Sequence, residues 1–249
     1  MTAAEMAMER HESEVRLALP GIRRVLGLGA TLILLLSLCS ELLLYDEGLN
    51  PNAAWPQLIN LSYEVNLPTW YSSMLLLTCA LLLFVIYRAE SRVGAPFRRH
   101  WAGLAVIFLY ISIDEAVIIH EMLNGPLRDA LNLGGVFYFA WVLPVALFLL
   151  LFLITYLRFL FWLPVRTARL IFAAGAVYTM GALGTELPVS FWYAQHGGDN
   201  LIYGLMNAIQ ESMEIIGASM FCFALFAYLG DRIGRLRFAA VTDEAECRT

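Results

Sequence analysis

Long apolar runs alternate along the chain with short polar ones. Six of the apolar runs reach the roughly 20 residues that cross a bilayer as a helix. They cover 24–45, 69–88, 101–123, 135–158, 168–192 and 203–229. The pattern predicts an all-α fold, a six-transmembrane-helix bundle, as one domain over 1–249. The polar remainder comprises an N-terminal segment 1–23, a longest loop 46–68 and a tail 231–249. Within the first, 4–19 reads as a charged helix on the membrane face. The loop carries Pro51, Asn52, Trp55, Pro56, Pro68 and a mildly apolar run from Leu58 to Leu61. It reads first as an interfacial connector, and second as an interfacial lid over a site below.

Arginine sets the expected orientation. Arg10, Arg16, Arg23 and Arg24 precede the first run, and Arg88, Arg92, Arg98 and Arg99 fill the second connection. Arg158, Arg166 and Arg169 flank the fourth, and Arg232, Arg235 and Arg237 follow the sixth. The other connections carry only Arg128. By the positive-inside rule both termini are expected to be cytoplasmic, in a multi-pass plasma (inner) membrane protein. Trp70, Tyr71, Tyr138, Trp141, Trp192, Tyr193 and Tyr203 then mark the outer interface, and Tyr87, Trp101, Trp162 and Tyr228 the inner one.

Composition narrows the chemistry. The chain is 60% hydrophobic and contains no lysine. That excludes a Schiff base to retinal or pyridoxal phosphate, and a Walker A loop. Cys39, Cys79, Cys222 and Cys247 form no C-x-x-C pair and read as packing residues. Leu38 is too large to precede a lipoprotein cysteine, so the first run reads as a retained helix. The partner expected is the bilayer, with a lipid or small apolar substrate and no nucleic acid.

Acids within the apolar runs carry the functional signal. Asp114, Glu115 and Glu121 share the run DEAVIIHE with His120; Glu186 lies in the fifth run, Glu211 and Glu214 in the sixth, and Glu41 in the first. An ionised acid at the bilayer centre costs about 2.5–3.5 kcal/mol. These have no Lys or Arg within the spans to pair with. They must be protonated, face water or hold a cation.

At 1.5 Å per residue, Asp114 lies about 20 Å from Trp101, and Glu121 reaches the outer boundary. Glu186 lies about 25 Å from Arg169, and Glu211 and Glu214 about 12 and 16 Å below Tyr203. All fall in the outer half. A continuous third helix would put Asp114 and Glu121 on one face, with Glu115 and His120 on its flanks. Asn207, Gln210, Glu211 and Glu214 form one stripe, opposite Met213, Ile216 and Met220. Pro188 should free the carbonyl of Gly184 and kink the helix beside Glu186, and Pro144 could act likewise.

Such donors suit hard divalent ions, or an iron or manganese pair bridged by carboxylates. One or two ions are expected on Asp114, Glu186, Glu211 and Glu214. Glu115, His120 and Glu121 then serve as catalytic groups or further ligands. The spacing does not reproduce the E-x-x-H repeat of ferritin-like proteins, and neither GxSxG nor H-E-x-x-H occurs. Gln210 and Glu41 are expected to pack, and His196 to be solvated. The leading expectation is a metal-dependent membrane hydrolase or oxidoreductase. A cation or proton transporter using the same acids is the second, and a non-catalytic accessory subunit the third.

Overall fold

The computed structural model describes residues 18–46 and 54–233. Residues 4–17 of the charged helix expected over 4–19, part of the long loop and the tail beyond 233 lie outside them. The protein is 86% helical, without a strand among the described residues. Six helical stretches are long and apolar enough to cross a membrane. They are α1 (Leu19–Asp46), α3 (Leu67–Arg92), α4 (Arg98–Val117), α6 (Val142–Trp162), α7 (Val165–Thr179) continued by α8 (Glu186–His196), and α9 (Leu201–Ile233). Two short helices lie between spans, α2 (Ala54–Ile59) and α5 (Asn124–Leu131).

α9 is the hub. It packs against α1, α3 and α7, while α4 lies on α3 and α6 on α7. Glycine lets α7 and α9 approach closely. A side chain at Gly217 would stand 2.6 Å from the backbone nitrogen of Tyr178, and one at Gly181 2.9 Å from Met213. Small residues of this kind are how helices gain packing contact inside a membrane. The apolar core fills the arginine-flanked end of the bundle, with Trp101, Leu83, Ile86, Phe159, Leu225 and Tyr228 buried together. At that end Glu90 is buried and accepts a 2.7 Å hydrogen bond from Tyr228 Oη. Arg232 Nε lies 3.6 Å from the same oxygen.

At the opposite end the connections fold down onto the helices. Asn66 caps α3, its Oδ1 accepting from the Thr69 N–H at 3.1 Å, and its amide bonds the carbonyls of Gln57, Asn60 and Tyr63. Glu41 is buried and accepts from Asn60 and Ser62. Gly204 makes room for it, because a side chain there would fall on the Glu41 carboxylate. Glu41 thus fastens the long loop to α1 and α9.

Three expectations about helices need correction. The third helix does not run to 123. It ends at Val117, where Ile118 takes a left-handed conformation at φ 59°, and a 3₁₀ turn follows over His120–Leu123. A β-branched residue in that region is strained by about 1–3 kcal/mol. Asp114 and Glu121 therefore do not share a helical face, nor do Glu115 and His120 flank one. The fourth helix begins at Val142 rather than 135, so Pro144 sits in its first turn, where proline fits without a kink. Residues 135–141 instead dock on α8, with the Phe139 N–H donating to Ser190 Oγ at 2.9 Å. In the fifth span the disturbance near Pro188 is a π-helical turn over Met180–Thr185. Its wider turn re-aims Glu186 relative to a continuous α-helix.

Candidate metal centre in an acidic cavity

A cavity of about 920 Å³ opens among α3, α4, α6, α7, α8 and α9, on the side away from the arginine-flanked core. Its wall includes Asp114, Glu115, His120, Glu121, Glu186, Glu211 and Glu214. All seven residues singled out from the sequence therefore meet at one space. Asn207 and Gln210 of the polar stripe line it too, and the long loop contributes Leu61, Ser62, Tyr63 and Glu64.

The break at Ile118 builds the most ordered part. The Ile118 N–H closes on the Asp114 carbonyl at 2.6 Å, and the chain turns back over the helix end. Asp114 then receives two bonds from His120. Its Oδ1 accepts the backbone N–H and its Oδ2 the ring Nδ1–H, both at 2.8 Å. With Nδ1 engaged by a carboxylate, Nε2 carries the free lone pair. That is the support commonly found behind a metal-ligating histidine. Trp141 lies edge-on to the ring, with centroids 4.6 Å apart.

Glu64, His120 and Glu121 bring one ligand atom each to within 4.8 Å of one another. Three ligands at about 2.1 Å from one ion stand about 3.4–3.6 Å from one another. Closing this cluster on an ion needs only sub-ångström movements. Among the described residues it is the group of three that comes within 4.8 Å. Glu64 was missed in the sequence because it lies in the long loop, outside every apolar run, where the sequence signals no cost for an acid.

Charge at the rim is unbalanced. Desolvation, followed by the neighbouring charge of Glu121, pushes the Glu64 carboxyl up to about 7, with His120 opposing. Burial disfavours the charged imidazole of His120, but Asp114, Glu121 and Glu64 outweigh it and raise its pKa.

The other acids have different surroundings. Glu186 is buried and has both oxygens occupied. Trp141 Nε1 donates to one at 3.1 Å, and Gln210 Nε2 to the other at 2.6 Å. Gln210, expected only to pack, therefore positions Glu186, and Trp141 links Glu186 to His120. Glu214 is buried on α9, within reach of Tyr178 and Gln210. Glu115 is within reach of Ser72. Glu115 and Glu211 line the cavity with Glu214. His196, by contrast, is exposed and stacks on Trp192, with centroids 4.1 Å apart.

These features define a polytopic helical bundle with an acid- and histidine-lined cavity at one end. The chain belongs to the family described as a domain of unknown function, DUF8692, whose profile matches residues 25–229. That range takes in all the cavity residues named above. No curated protein and no solved structure matches the chain.

Proposed function

We propose that this protein is a metal-dependent membrane enzyme, a hydrolase or an oxidoreductase. In this reading Glu64, His120 and Glu121 hold a divalent ion at the mouth of the acidic cavity. The observation that carries it is His120, held at Nδ1 by Asp114 and converging with two carboxylates. An acidic patch alone does not require a histidine so oriented. When bound, the ion would polarise water or activate dioxygen.

The chain's own residues have distinct parts. Asp114 orients the imidazole and fixes which nitrogen is free. Glu186, tied to Trp141 and Gln210, holds the wall against which His120 packs. Glu115, Glu211 and Glu214 lie deeper and can accept protons or hold a second ion, as in carboxylate-bridged iron or manganese pairs. Both termini lie in the cytoplasm by the arginine distribution. The cavity then faces the outer side.

Packing favours a site over a conduit. Below the cavity the bundle is filled by Trp101, Phe159, Leu225 and Tyr228. A transporter would need a polar path through this layer, and the buried Glu90 at the far end, tied to Tyr228, is separated from the cavity by it.

Elemental analysis of the purified protein is the direct test. The wild type should carry, or rebind after chelation, at least one divalent ion per chain. His120→Ala and Glu121→Gln should each lose it while keeping the helical circular dichroism spectrum. A wild type that neither copurifies with metal nor takes it up ends this reading.

A further inference from the structure

The acidic cavity has a second, apolar wall. Successive neighbours α4, α3, α9, α7 and α6 pack in an arc. Its two ends, α4 and α6, meet at the arginine-flanked end through aromatic rings. Phe159 lies 4.9 Å from Trp101 and 5.5 Å from His100, centroid to centroid, and Tyr156 lies 5.1 Å from His100. Tyr156 Oη also donates to the His100 carbonyl at 3.2 Å. Gly103 leaves space for that hydroxyl, which a side chain there would strike.

One turn further along α4 the seam widens. Val106, Ile107 and Tyr110 of α4, with Pro144, Val145 and Phe148 of α6, line the cavity instead of closing it. Val106, Tyr110 and Phe148 are 67%, 55% and 51% exposed. They lie within the two spans, where the surroundings are hydrocarbon. The cavity thus has a polar mouth, where Glu64 and Glu121 are exposed, and a lateral apolar slit.

We propose that the slit between α4 and α6 admits one hydrocarbon chain of a membrane lipid, placing the lipid's polar head among Glu64, His120 and Glu121. The slit is continuous with the acidic cavity and stops at the aromatic cluster, so its occupant extends from the polar site into the bilayer. An amphiphile meets both requirements at once. A water-soluble substrate has no use for six apolar residues facing hydrocarbon. A helix of another protein, about 10 Å across, would lie over the rim and reach none of the acids. The cavity volume of about 920 Å³ is at the upper end of the usual 300–1,000 Å³ of ligand pockets, which suits a head with part of a chain. That such a lipid is a substrate rests on the metal-enzyme reading above; the slit itself does not.

The test uses the full chain in nanodiscs containing phosphatidylglycerol with a diazirine at mid-chain. Photolysis and peptide mapping compare the slit with Phe172, a lipid-facing residue of α7 that is 64% exposed. Residues 106–110 and 144–148 should be labelled well above Phe172. Val106→Trp combined with Val145→Trp should bring that labelling down to the Phe172 level and leave the metal content unchanged. Wild-type labelling of the slit no higher than at Phe172 overturns the proposal, whether or not the double variant folds. So does a folded double variant with undiminished labelling. Strong slit labelling of a protein that takes up no metal would keep the slit and remove the enzyme reading; metal uptake with background labelling would do the reverse.

Discussion

Asp114 works through another residue. Both of its oxygens accept hydrogen bonds from His120, so its negative charge orients and polarises the imidazole. Charge-assisted bonds of this kind are about twice as strong as neutral ones. Removing the charge while keeping the shape should therefore weaken the proposed metal site without unfolding it. Asp114→Asn is expected to lower metal affinity by about 10–100-fold, the usual cost of losing such a partner. Competition with a chelator of known affinity measures it, and an unchanged affinity would show that His120 does not ligate. The sequence displayed Asp114 and His120 in one short run but not their relation. Six residues apart on a continuous helix, their side chains would point in very different directions. The left-handed turn at Ile118 brings them together, and an isoleucine gives no local signal for such a turn. Glu64 was hidden differently: as a loop acid it showed no solvation cost in the sequence to draw attention.

At the scale of elements, the site depends on how closely α7 and α9 run. Gly217 lies against the backbone of Tyr178, and Gly181 against Met213, the Gln210 carbonyl and Glu214. These contacts set the height at which Gln210 and Glu214 face the cavity. Gly217→Ala would place a methyl group 2.6–2.8 Å from Tyr178 backbone and side-chain atoms. Overpacking of this kind costs about 1–3 kcal/mol. Thermal unfolding in detergent should show the loss. Gly175→Ala, on the facing helix α7 with nothing within 4 Å, should show none or a gain of about 1 kcal/mol. Equal effects of the two would mean that the helices are not in contact at Gly217. The polar stripe on α9 was legible because three- and four-residue spacing survives any regular helix. The disturbance in the fifth span was also legible, because proline lacks the donor that an α-helix needs. Its form as a π turn was not, since a freed carbonyl can be accommodated in several ways.

For the whole molecule, the number and polarity of the spans decide what can be asked. Six spans return the chain to the side on which it began. Arginine placement then predicts that the cavity faces away from the cytoplasm. Alkaline phosphatase fused after Asp129 should be active, and after Pro96 inactive; the reverse pattern would invert the topology.

The chain by itself determined six apolar runs long enough to cross a membrane, and that the acids singled out within them lie towards one end. Both follow from costs counted locally: apolar length against bilayer thickness, and the price of a charge in hydrocarbon. Only the tertiary structure decided which acids line one cavity. A backbone turn at Ile118, a π turn before Glu186 and a loop fastened by Glu41 bring distant residues to one cavity. Such convergence depends on packing between segments remote in sequence, and no local cost records it.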